Sequence, residues 1–200
     1  GGFILLAARA SAMAEPVALV VSTSADGRAW SPFTPLVAAA EPGAGLQLQP
    51  DHAVFQGRDS IVFQSQEERL GYQLYIKQSN DGGRAWTPAR PITTGEAFAG
   101  AVGSVRYGPR EYSNQRPRIT ATPEGLALAW ERNLVGDSRP QVYFCRLDAE
   151  GAPAGALEQV STGTSAVFAR IVAFRGKLYV LYADSTGAVT TVNLAERVRG

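Results

Sequence analysis

The sequence predicts an all-β protein built from small repeated sheets, and three observations support this prediction. Two nearly identical segments, residues 24–32 and 79–88, each lie between two short apolar runs. Other pairs of β-rich runs flank a turn that contains glycine, which is the pattern of a β-hairpin. No stretch shows the 3.6-residue apolar period of an amphipathic helix, so almost no helix is expected.

The hairpins recur at a regular spacing. Their turns contain Gly57, Gly125 and Gly176, and a further strand-like run follows each hairpin. Four strands in a repeat of roughly 45 to 65 residues are typical of the blades of a β-propeller. The sequence therefore predicts a β-propeller of four-stranded antiparallel blades, with about four blades or as part of a larger propeller.

The whole chain is predicted to form a single propeller domain or propeller segment over residues 1–200. The first blade begins at its second strand and the last supplies three strands, so these two could complement each other and close a ring. Alternatively, the chain is one piece of a larger propeller. The predicted blades cover residues 1–40, 50–94, 116–161 and 168–200.

The composition excludes several classes of function. The chain has 200 residues, 45% of them hydrophobic, and a formal net charge of +1. A charge so close to zero gives no electrostatic footprint for nucleic acid or for an anionic membrane. No apolar run approaches the ~20 residues that a membrane-spanning helix needs. We therefore expect no nucleic-acid partner and no membrane insertion.

The cysteine and histidine content also limits the chemistry. Cys145 is the single cysteine and lies in an apolar run, where a small buried side chain is expected. His52 is the single histidine, far from Cys145 in sequence, and no cluster of metal-ligand residues is present. We expect no metal and no cofactor. The apolar start of the chain fits a buried strand better than a signal peptide, because no basic segment precedes it.

The repeated segments share one motif. In the second copy Ser79, Asp81, Gly83 and Trp86 follow the pattern Ser-x-Asp-x-Gly-x-x-Trp. The first copy is one residue shorter and has the same residue types, namely Ser24, Asp26, Gly27 and Trp30. A third turn, at residues 148–151, lacks both Ser and Trp. This motif resembles the Asp-box, or BNR repeat, of the sialidase-like β-propellers.

The chemistry of this motif is structural. Asp and Ser side chains bind the amides of the turn, and Gly adopts a φ that other residues avoid. We expect each Trp to bury a large apolar area, about 2–3 kcal/mol of stabilisation. The resemblance implies that these turns join the third and fourth strands on the face away from the ligand. Asp26 and Asp81 are therefore expected to be structural and not catalytic.

The resemblance places a ligand on the opposite face. The long connection over residues 95–115 lies there and contains Arg110, Glu111 and Tyr112. Near the start of the innermost strands the blades offer further charged residues, which are Asp51, His52, Arg116, Arg118 and Arg170. These residues could form a charged ring that binds a carboxylate or a sugar, with Arg as a bidentate clamp. Alternatively, they line a wet channel and pair with each other.

Three functions are compatible with these residues. The first, which we favour from sequence alone, is a non-catalytic sialidase-like module that binds a carbohydrate or another protein within a larger, exported protein (periplasmic, cell-surface or secreted). The second is a glycoside hydrolase, exo-sialidase-like, that acts on acidic glycans. The third is a purely structural repeat.

The hydrolase alternative assigns roles by resemblance. Sialidases bind the substrate carboxylate with three arginines, which would here be Arg116, Arg118 and Arg170. They also use a Tyr nucleophile and carboxylate residues, for which the candidates are Tyr112, Glu111, Glu131 and Asp51. The Arg-Ile-Pro motif of the family is absent, and the adjacent Glu111 and Tyr112 are expected on opposite sides of a strand.

Overall fold

The computed structural model describes residues 2–10, 17–67, 71–93, 110–186 and 189–197, together with the backbone of residues 97–98, 101–102 and 105–106. The regular structure of these residues is entirely β, as predicted, with one two-stranded pair and four larger antiparallel sheets that follow one another along the chain. We number them the first to the fourth sheet. Within this described part of the chain, no helix is long and apolar enough to cross a membrane.

The first two sheets contain three and four strands. The strands of the first sheet are β1 (Phe3–Arg9), β2 (Ala18–Ser24) and β3 (Thr34–Pro35). The strands of the second sheet are β4 (Leu46–Phe55), β5 (Arg58–Gln66), β6 (Gln73–Ser79) and β7 (Arg90–Pro91). Consecutive strands are neighbours in both sheets, which is the meander expected of hairpins in series.

The remaining strands form the third and fourth sheets and one short pair. Three short strands precede the third sheet: β8 (Ala97–Phe98), β9 (Ala101–Val102) and β10 (Val105–Arg106). The third sheet consists of β11 (Arg110–Thr122), β12 (Gly125–Leu134), β13 (Gln141–Leu147) and β14 (Glu158–Gln159), with β8 paired to the start of β11. The fourth sheet consists of β15 (Ser165–Phe174), β16 (Lys177–Thr186) and β17 (Val189–Arg197).

The hydrophobic core lies between the sheets. Three buried clusters each join one sheet to the next. Alternation along β5 shows the principle, because Ile61 and Phe63 pack with the first sheet while Val62 packs with the third. The largest of the fully buried side chains is Trp130, whose indole N–H donates to Asn114 Oδ1 at 2.8 Å. Each inner sheet is therefore apolar on both faces, as stacked blades require.

The first and fourth sheets do not complete one another. In the described residues β1–β3 and β15–β17 remain two separate three-stranded sheets. Apolar side chains of the last strand stay exposed, with Val192 at 81% and Leu194 at 61%. The ring closure considered from the sequence, in which the first and last blades share their strands, is therefore not formed by this part of the chain.

The two Ser–Asp turns are held by their own side chains. In the first turn Ser24 Oγ accepts from Gly27 N–H at 2.8 Å, and Asp26 Oδ1 accepts from Arg28 and Ala29. These amide donors lower the pKa of Asp26, the Arg28 bond contributing most.

The second turn repeats this arrangement. Ser79 Oγ accepts from Gly83 N–H at 2.9 Å, and Asp81 Oδ1 accepts from Arg84 and Ala85. The Ala85 bond contributes most to the lowered pKa of Asp81. Both carboxylates therefore serve the turn that contains them.

The tryptophans of these turns are less buried than the sequence suggested. Trp30 is 41% exposed, so the expected burial of this side chain is wrong, while Trp86 is half-buried against the core shared by the first and second sheets. The difference follows from the neighbouring sheet. A Cβ on Gly83 would lie 3.1 Å from Ile4 of the first sheet, whereas the three atoms nearest to a Cβ on Gly27 all belong to Phe3 of its own sheet. A turn of this kind buries its Trp where a preceding sheet covers it.

The third turn keeps the same role with fewer of the motif residues. Asp148 Oδ1 accepts from Ala152 N–H at 2.8 Å, and Gly151 has a positive φ of 78°. The carbonyl of Ala149 accepts from Gln78 of the second sheet at 2.9 Å. A Cβ on Gly151 would lie 2.5 Å from Ile76 Cδ1 of that sheet. The third turn therefore packs directly on the preceding sheet.

Candidate functional site

Each of the three innermost strands is interrupted at the same place by a two-residue bulge. Pairing skips residues 49–50 in β4, 116–117 in β11 and 168–169 in β15. The first residue of each bulge has a positive φ: Gln49 (53°), Arg116 (50°) and Phe168 (59°). Positive φ is uncommon for residues other than Gly, and bulges redirect side chains next to functional sites. Three equivalent bulges therefore mark one region of the molecule.

The residue that resumes pairing after each bulge is charged. These residues are Asp51, Arg118 and Arg170, and each pairs with an apolar residue of the neighbouring strand. Because they occupy the same register position, they project from the same side of their sheets. Asp51 reaches the third sheet, where its Oδ2 accepts from Ile119 N–H at 2.8 Å.

Arg118 lies at the centre of a group of charges. It is half-buried, and this burial is the main cause that lowers the pKa of its guanidinium. Arg170 and Arg116 lower this pKa further by repulsion, while Asp51 and Glu131 oppose the shift. Three arginines and two carboxylates thus lie within electrostatic reach of one another. We call these five residues the arginine cluster.

Glu131 is the buried member of the cluster. Its side chain is 2% exposed, and its two oxygens have different partners. Oε2 accepts from Arg116 Nη1 at 2.5 Å, and Oε1 accepts from the backbone N–H of Phe168 at 2.7 Å. A buried carboxylate is tolerated when it is paired and hydrogen-bonded in this way.

The other two arginines are not ion-paired within the described residues. Arg118 Nη1 donates to the carbonyl of Pro117 at 2.8 Å, and Arg170 Nη1 donates to that of Ala169 at 2.9 Å. Each guanidinium is therefore oriented by the carbonyl that precedes it, and the remaining donors stay available. The sequence analysis also considered that these charged residues only pair with each other. That holds for Arg116, which pairs with Glu131, but not for Arg118 and Arg170 among the described residues.

His52 lies apart from the cluster. It follows Asp51 directly, so its side chain projects from the other side of β4. Its Nε2 lies 2.9 Å from Asp59 Oδ1, at the start of β5. The expectation that His52 joins the charged ring is corrected by this geometry.

Glu111 and Tyr112 project in opposite directions, as their adjacency predicted. The Tyr112 ring lies 3.8 Å from the Arg132 guanidinium carbon, and the Tyr143 ring lies 5.3 Å from it on the same sheet. Burial raises the pKa of Tyr143. Glu111 Oε2 and Arg132 Nε are buried without a hydrogen-bond partner in the described part of the chain. For Arg110 only the backbone is described, paired with Phe98.

Two contacts of this region were not predicted from the sequence, one made by Gln64 and one by Arg132. Gln64 Oε1 accepts from Arg116 N–H at 2.7 Å and so joins the second sheet to the third. Arg132 stacks on Tyr112, as described above. No local pattern indicates either contact, because both depend on how neighbouring strands align.

A second, shorter repeat is present in the sequence. Gln73-Leu74-Tyr75 recurs as Gln141-Val142-Tyr143 at the start of β6 and β13. In the first copy Gln73 Oε1 accepts from the Thr93 hydroxyl at 2.8 Å, and this hydroxyl accepts from the backbone N–H of Leu74. In the second copy Gln141 Oε1 accepts from the Ser161 hydroxyl at 2.6 Å, which accepts from the backbone N–H of Val142. The Gln side-chain amide donates to a carbonyl at the start of the following sheet. These glutamines therefore fix the spacing between sheets at this end.

No metal site was found. Within the described ranges no three His, Cys, Asp or Glu side chains lie close enough together to hold a metal ion.

The fold is shared with solved glycoside hydrolases. The endo-arabinase from Bacteroides thetaiotaomicron VPI-5482 matches 100% of this chain and 72% of its own, with a TM-score of 0.62 and 16% identity. The GH43 endo-arabinanase from Bacillus licheniformis matches 98% of this chain and 68% of its own, with a TM-score of 0.59 and 13% identity. The Hadza microbial sialidase Hz136 matches 97% of this chain and 42% of its own, with a TM-score of 0.63 and 17% identity.

No family model and no curated protein matches the chain. These structural matches overturn our expectation of a non-catalytic binding or scaffolding module, because the three solved structures named above, each matching 97% or more of this chain, are glycoside hydrolases. They favour the glycoside hydrolase alternative, at the level of fold. This chain has the β-propeller fold of antiparallel blades that arabinanases and a sialidase also have.

Proposed function

We propose that this chain is the propeller of a glycoside hydrolase that acts on glycans carrying an acidic sugar. The observation that carries the proposal is the arginine cluster, in which Arg118 and Arg170 have no carboxylate partner within ion-pair distance in the described residues. Guanidinium groups bind carboxylates through paired hydrogen bonds. An anionic sugar supplies the missing acceptor, and the fold shared with glycosidases supplies the class of reaction.

Arg116 has a different part in this proposal. Glu131 already neutralises it and fixes its direction, so it donates to a ligand with its remaining N–H groups. The cluster has three positive and two negative charges. Like-charge repulsion among the arginines is relieved when a ligand carboxylate binds, which favours anionic over neutral sugars.

Asp51 is the leading candidate for the catalytic carboxylate. Ile119 N–H holds its Oδ2, which leaves Oδ1 without a hydrogen bond from the described residues. Glycosidases use two carboxyl groups on either side of the scissile bond. Glu111 does not fill the second role, because it lies eight residues before Ile119 on β11, roughly 25 Å along the strand, whereas paired carboxyl groups lie about 5–9.5 Å apart. Tyr112 is the less suitable nucleophile, since Arg132 covers its ring.

Two finer assignments accompany this proposal. We infer that the Ser–Asp turns are Asp-box repeats of a sialidase-like propeller, on the support of their matching bond pattern. We also infer an exported protein, because acidic glycan polymers lie mainly outside cells. Fractionation of the source cells tests the second inference, and an intracellular location of the intact protein contradicts it.

The activity is tested with the purified chain on four substrates. These are the 4-methylumbelliferyl glycosides of N-acetylneuraminic acid, glucuronic acid and arabinofuranose, and linear arabinan. We expect cleavage of an acidic glycoside and a loss of about a hundredfold or more in Asp51→Asn, since a positioned acid or base contributes about 10²–10⁴ in rate. Asp26→Asn is the matched control, because it alters a carboxylate at the opposite end of a sheet.

Each outcome decides one part of the proposal. If only arabinan or the arabinoside is cleaved, the chain is a glycoside hydrolase but the proposal of an acidic-sugar substrate is wrong. Equal loss of activity in Asp51→Asn and Asp26→Asn rejects Asp51 as the catalytic group. Absence of cleavage of all four substrates by the folded protein rejects the proposed activity.

A further inference from the structure

Two equivalent positions on the second strands of neighbouring sheets carry different side chains. Gln64 pairs with Leu48 just before the bulge of β4, and Glu131 pairs with Gln115 just before the bulge of β11. Each side chain accepts the N–H of the positive-φ residue in the following sheet, at 2.7 Å in both cases. The two side chains therefore perform the same task at successive junctions between sheets.

Glu131 has a second partner, the guanidinium of Arg116. Its Oε1 accepts from Phe168 N–H while its Oε2 accepts from Arg116 Nη1. Both partners are hydrogen-bond donors. A carboxylate accepts on both oxygens, whereas an amide presents one acceptor and one donor. Glutamate is therefore required at this junction, while glutamine suffices at the previous one.

We propose that Glu131 is a positioning residue that aims the Arg116 guanidinium at the acidic sugar and fixes the bulge of the fourth sheet to the third. This inference rests on the proposed function for the identity of the ligand. Glu131 is not a catalytic residue, because both its oxygens are engaged and the side chain is only 2% exposed. Arg116 is 43% exposed, so its orientation depends on the carboxylate that holds it.

The carboxylate works at this place because burial removes competing water. An ion pair at low exposure holds its geometry more firmly than one on the surface, where solvent screens the charges. Arg116 also has a positive φ, which the Gln64 contact to its backbone N–H stabilises. The backbone and the side chain of Arg116 are thus fixed from two different sheets.

The test compares Glu131→Gln with Glu41→Gln. Glu41 is a matched control, because its carboxylate also pairs with a cation and accepts from a backbone N–H. Its Oε2 lies 2.6 Å from Lys77 Nζ and 2.9 Å from the backbone nitrogen of Ala89. Affinity for N-acetylneuraminic acid and for glucuronic acid is measured by calorimetry, with arabinose as the neutral sugar. The side-chain N–H signals of Arg116 are followed by NMR, assigned from the spectrum of Arg116→Gln.

We expect Glu131→Gln to weaken binding of the acidic sugar by about ten- to a hundredfold, the loss typical of a hydrogen bond to a charged group. The Arg116 signals then broaden or shift, while Glu41→Gln leaves both measurements unchanged. In an Arg116→Gln background, Glu131→Gln changes the Kd by less than about twofold, because a positioning residue acts through its partner.

Three results overturn this inference. The first is an unchanged Kd and unchanged Arg116 signals in Glu131→Gln. The second is an effect of Glu131→Gln on the Kd that persists without Arg116. The third is an equal effect in Glu41→Gln. If the wild-type protein binds no acidic sugar, the proposed function fails by itself, and the Arg116 signals in the two variants still decide the role of Glu131.

Discussion

Carboxylates have different roles at the two ends of the sheets, which we call the turn end, with the Ser–Asp turns, and the bulge end, with the bulges at residues 49–50, 116–117 and 168–169. At the turn end, Asp26 and Asp81 are satisfied by amides of their own turns, which lower the pKa of each. At the bulge end, Asp51 and Glu131 reach across to the next sheet and lie among arginines. An exposed acidic residue in a turn therefore says little about function here. A carboxylate that joins two sheets marks the candidate site, because it lies beside Arg118 and Arg170, which have no ion-pair partner among the described residues.

The largest expected effect concerns stability at the turn end. In Gly151→Ala a new Cβ lies 2.5 Å from Ile76 Cδ1, at a φ of 78°. We expect a loss of about 2–4 kcal/mol in the free energy of unfolding, from overpacking and left-handed strain together. Urea denaturation measures it. Gly57→Ala is the control, because its φ is also 78° but no atom lies within 4 Å of the new Cβ.

The control isolates the backbone contribution. Gly57→Ala is expected to lose only the left-handed strain, about 1–2 kcal/mol. If both variants lose the same amount, the turn at Gly151 does not pack on the second sheet as described. A change in sugar binding in Gly151→Ala would also count against the separation of the two ends.

The next largest effect concerns ligand binding at the bulge end. Arg118→Gln is expected to weaken binding of an acidic sugar by about ten- to a hundredfold, since a charged hydrogen bond is lost. The same change leaves stability nearly unaltered, because it also removes repulsion from Arg170. Calorimetry with glucuronic acid and thermal unfolding measure the two quantities. Arg139→Gln serves as the control, because Arg139 forms an exposed ion pair with Asp137. This variant should leave the affinity for the acidic sugar unaltered.

A smaller effect appears in acid. The pKa values of Asp26 and Asp81 are lowered in the folded state from an ordinary value of 3.8. Their stabilisation is therefore present above the unfolded pKa and is lost as the pH falls through the lower folded pKa. We expect the Tm of the wild type to fall below about pH 4 and the Asp26→Asn/Asp81→Asn variant to show a shallower decline. Parallel curves in the two proteins would show that these turns are not held by their carboxylates.

The smallest effect is expected at Cys145. This thiol is buried in the core between the second and third sheets, and burial raises its pKa to about 12. It should not react with a disulfide reagent at neutral pH until the protein unfolds, because the thiolate is the reactive form. Labelling is followed by absorbance, with and without urea. Rapid labelling of the native protein would mean that these two sheets separate readily.

Local sequence predicted the turn end better than the bulge end. Ser79 and Asp81 act within their own turn, so their residue types and spacing were sufficient to predict the bonds. The same holds for the hairpins, whose glycines and β-rich runs are local signals. Trp30 was predicted less well, because its burial depends on whether a preceding sheet covers the turn.

The bulges could not be predicted from residue type. Gln49, Arg116 and Phe168 share a positive φ but no chemistry, and only Pro50 and Pro117 give a local indication of irregular pairing. The arginines were identified as charged residues on inner strands. Their link to Glu131 depends on the register between β11 and β12 and on the contact with the following sheet, neither of which a single sequence specifies.

An NMR titration distinguishes a sugar site at the arginine cluster from one at the Ser–Asp turns. Backbone amide NMR signals of the full chain are followed during titration with glucuronic acid and N-acetylneuraminic acid, with arabinose as the neutral comparison. We expect shifts at Ile119 and Phe168, whose amides donate to Asp51 and Glu131, and no shifts at Gly27 or Ala85 in the turns. Shifts confined to the turns, or equal shifts with arabinose, would contradict the assignment of the arginine cluster as an acidic-sugar site.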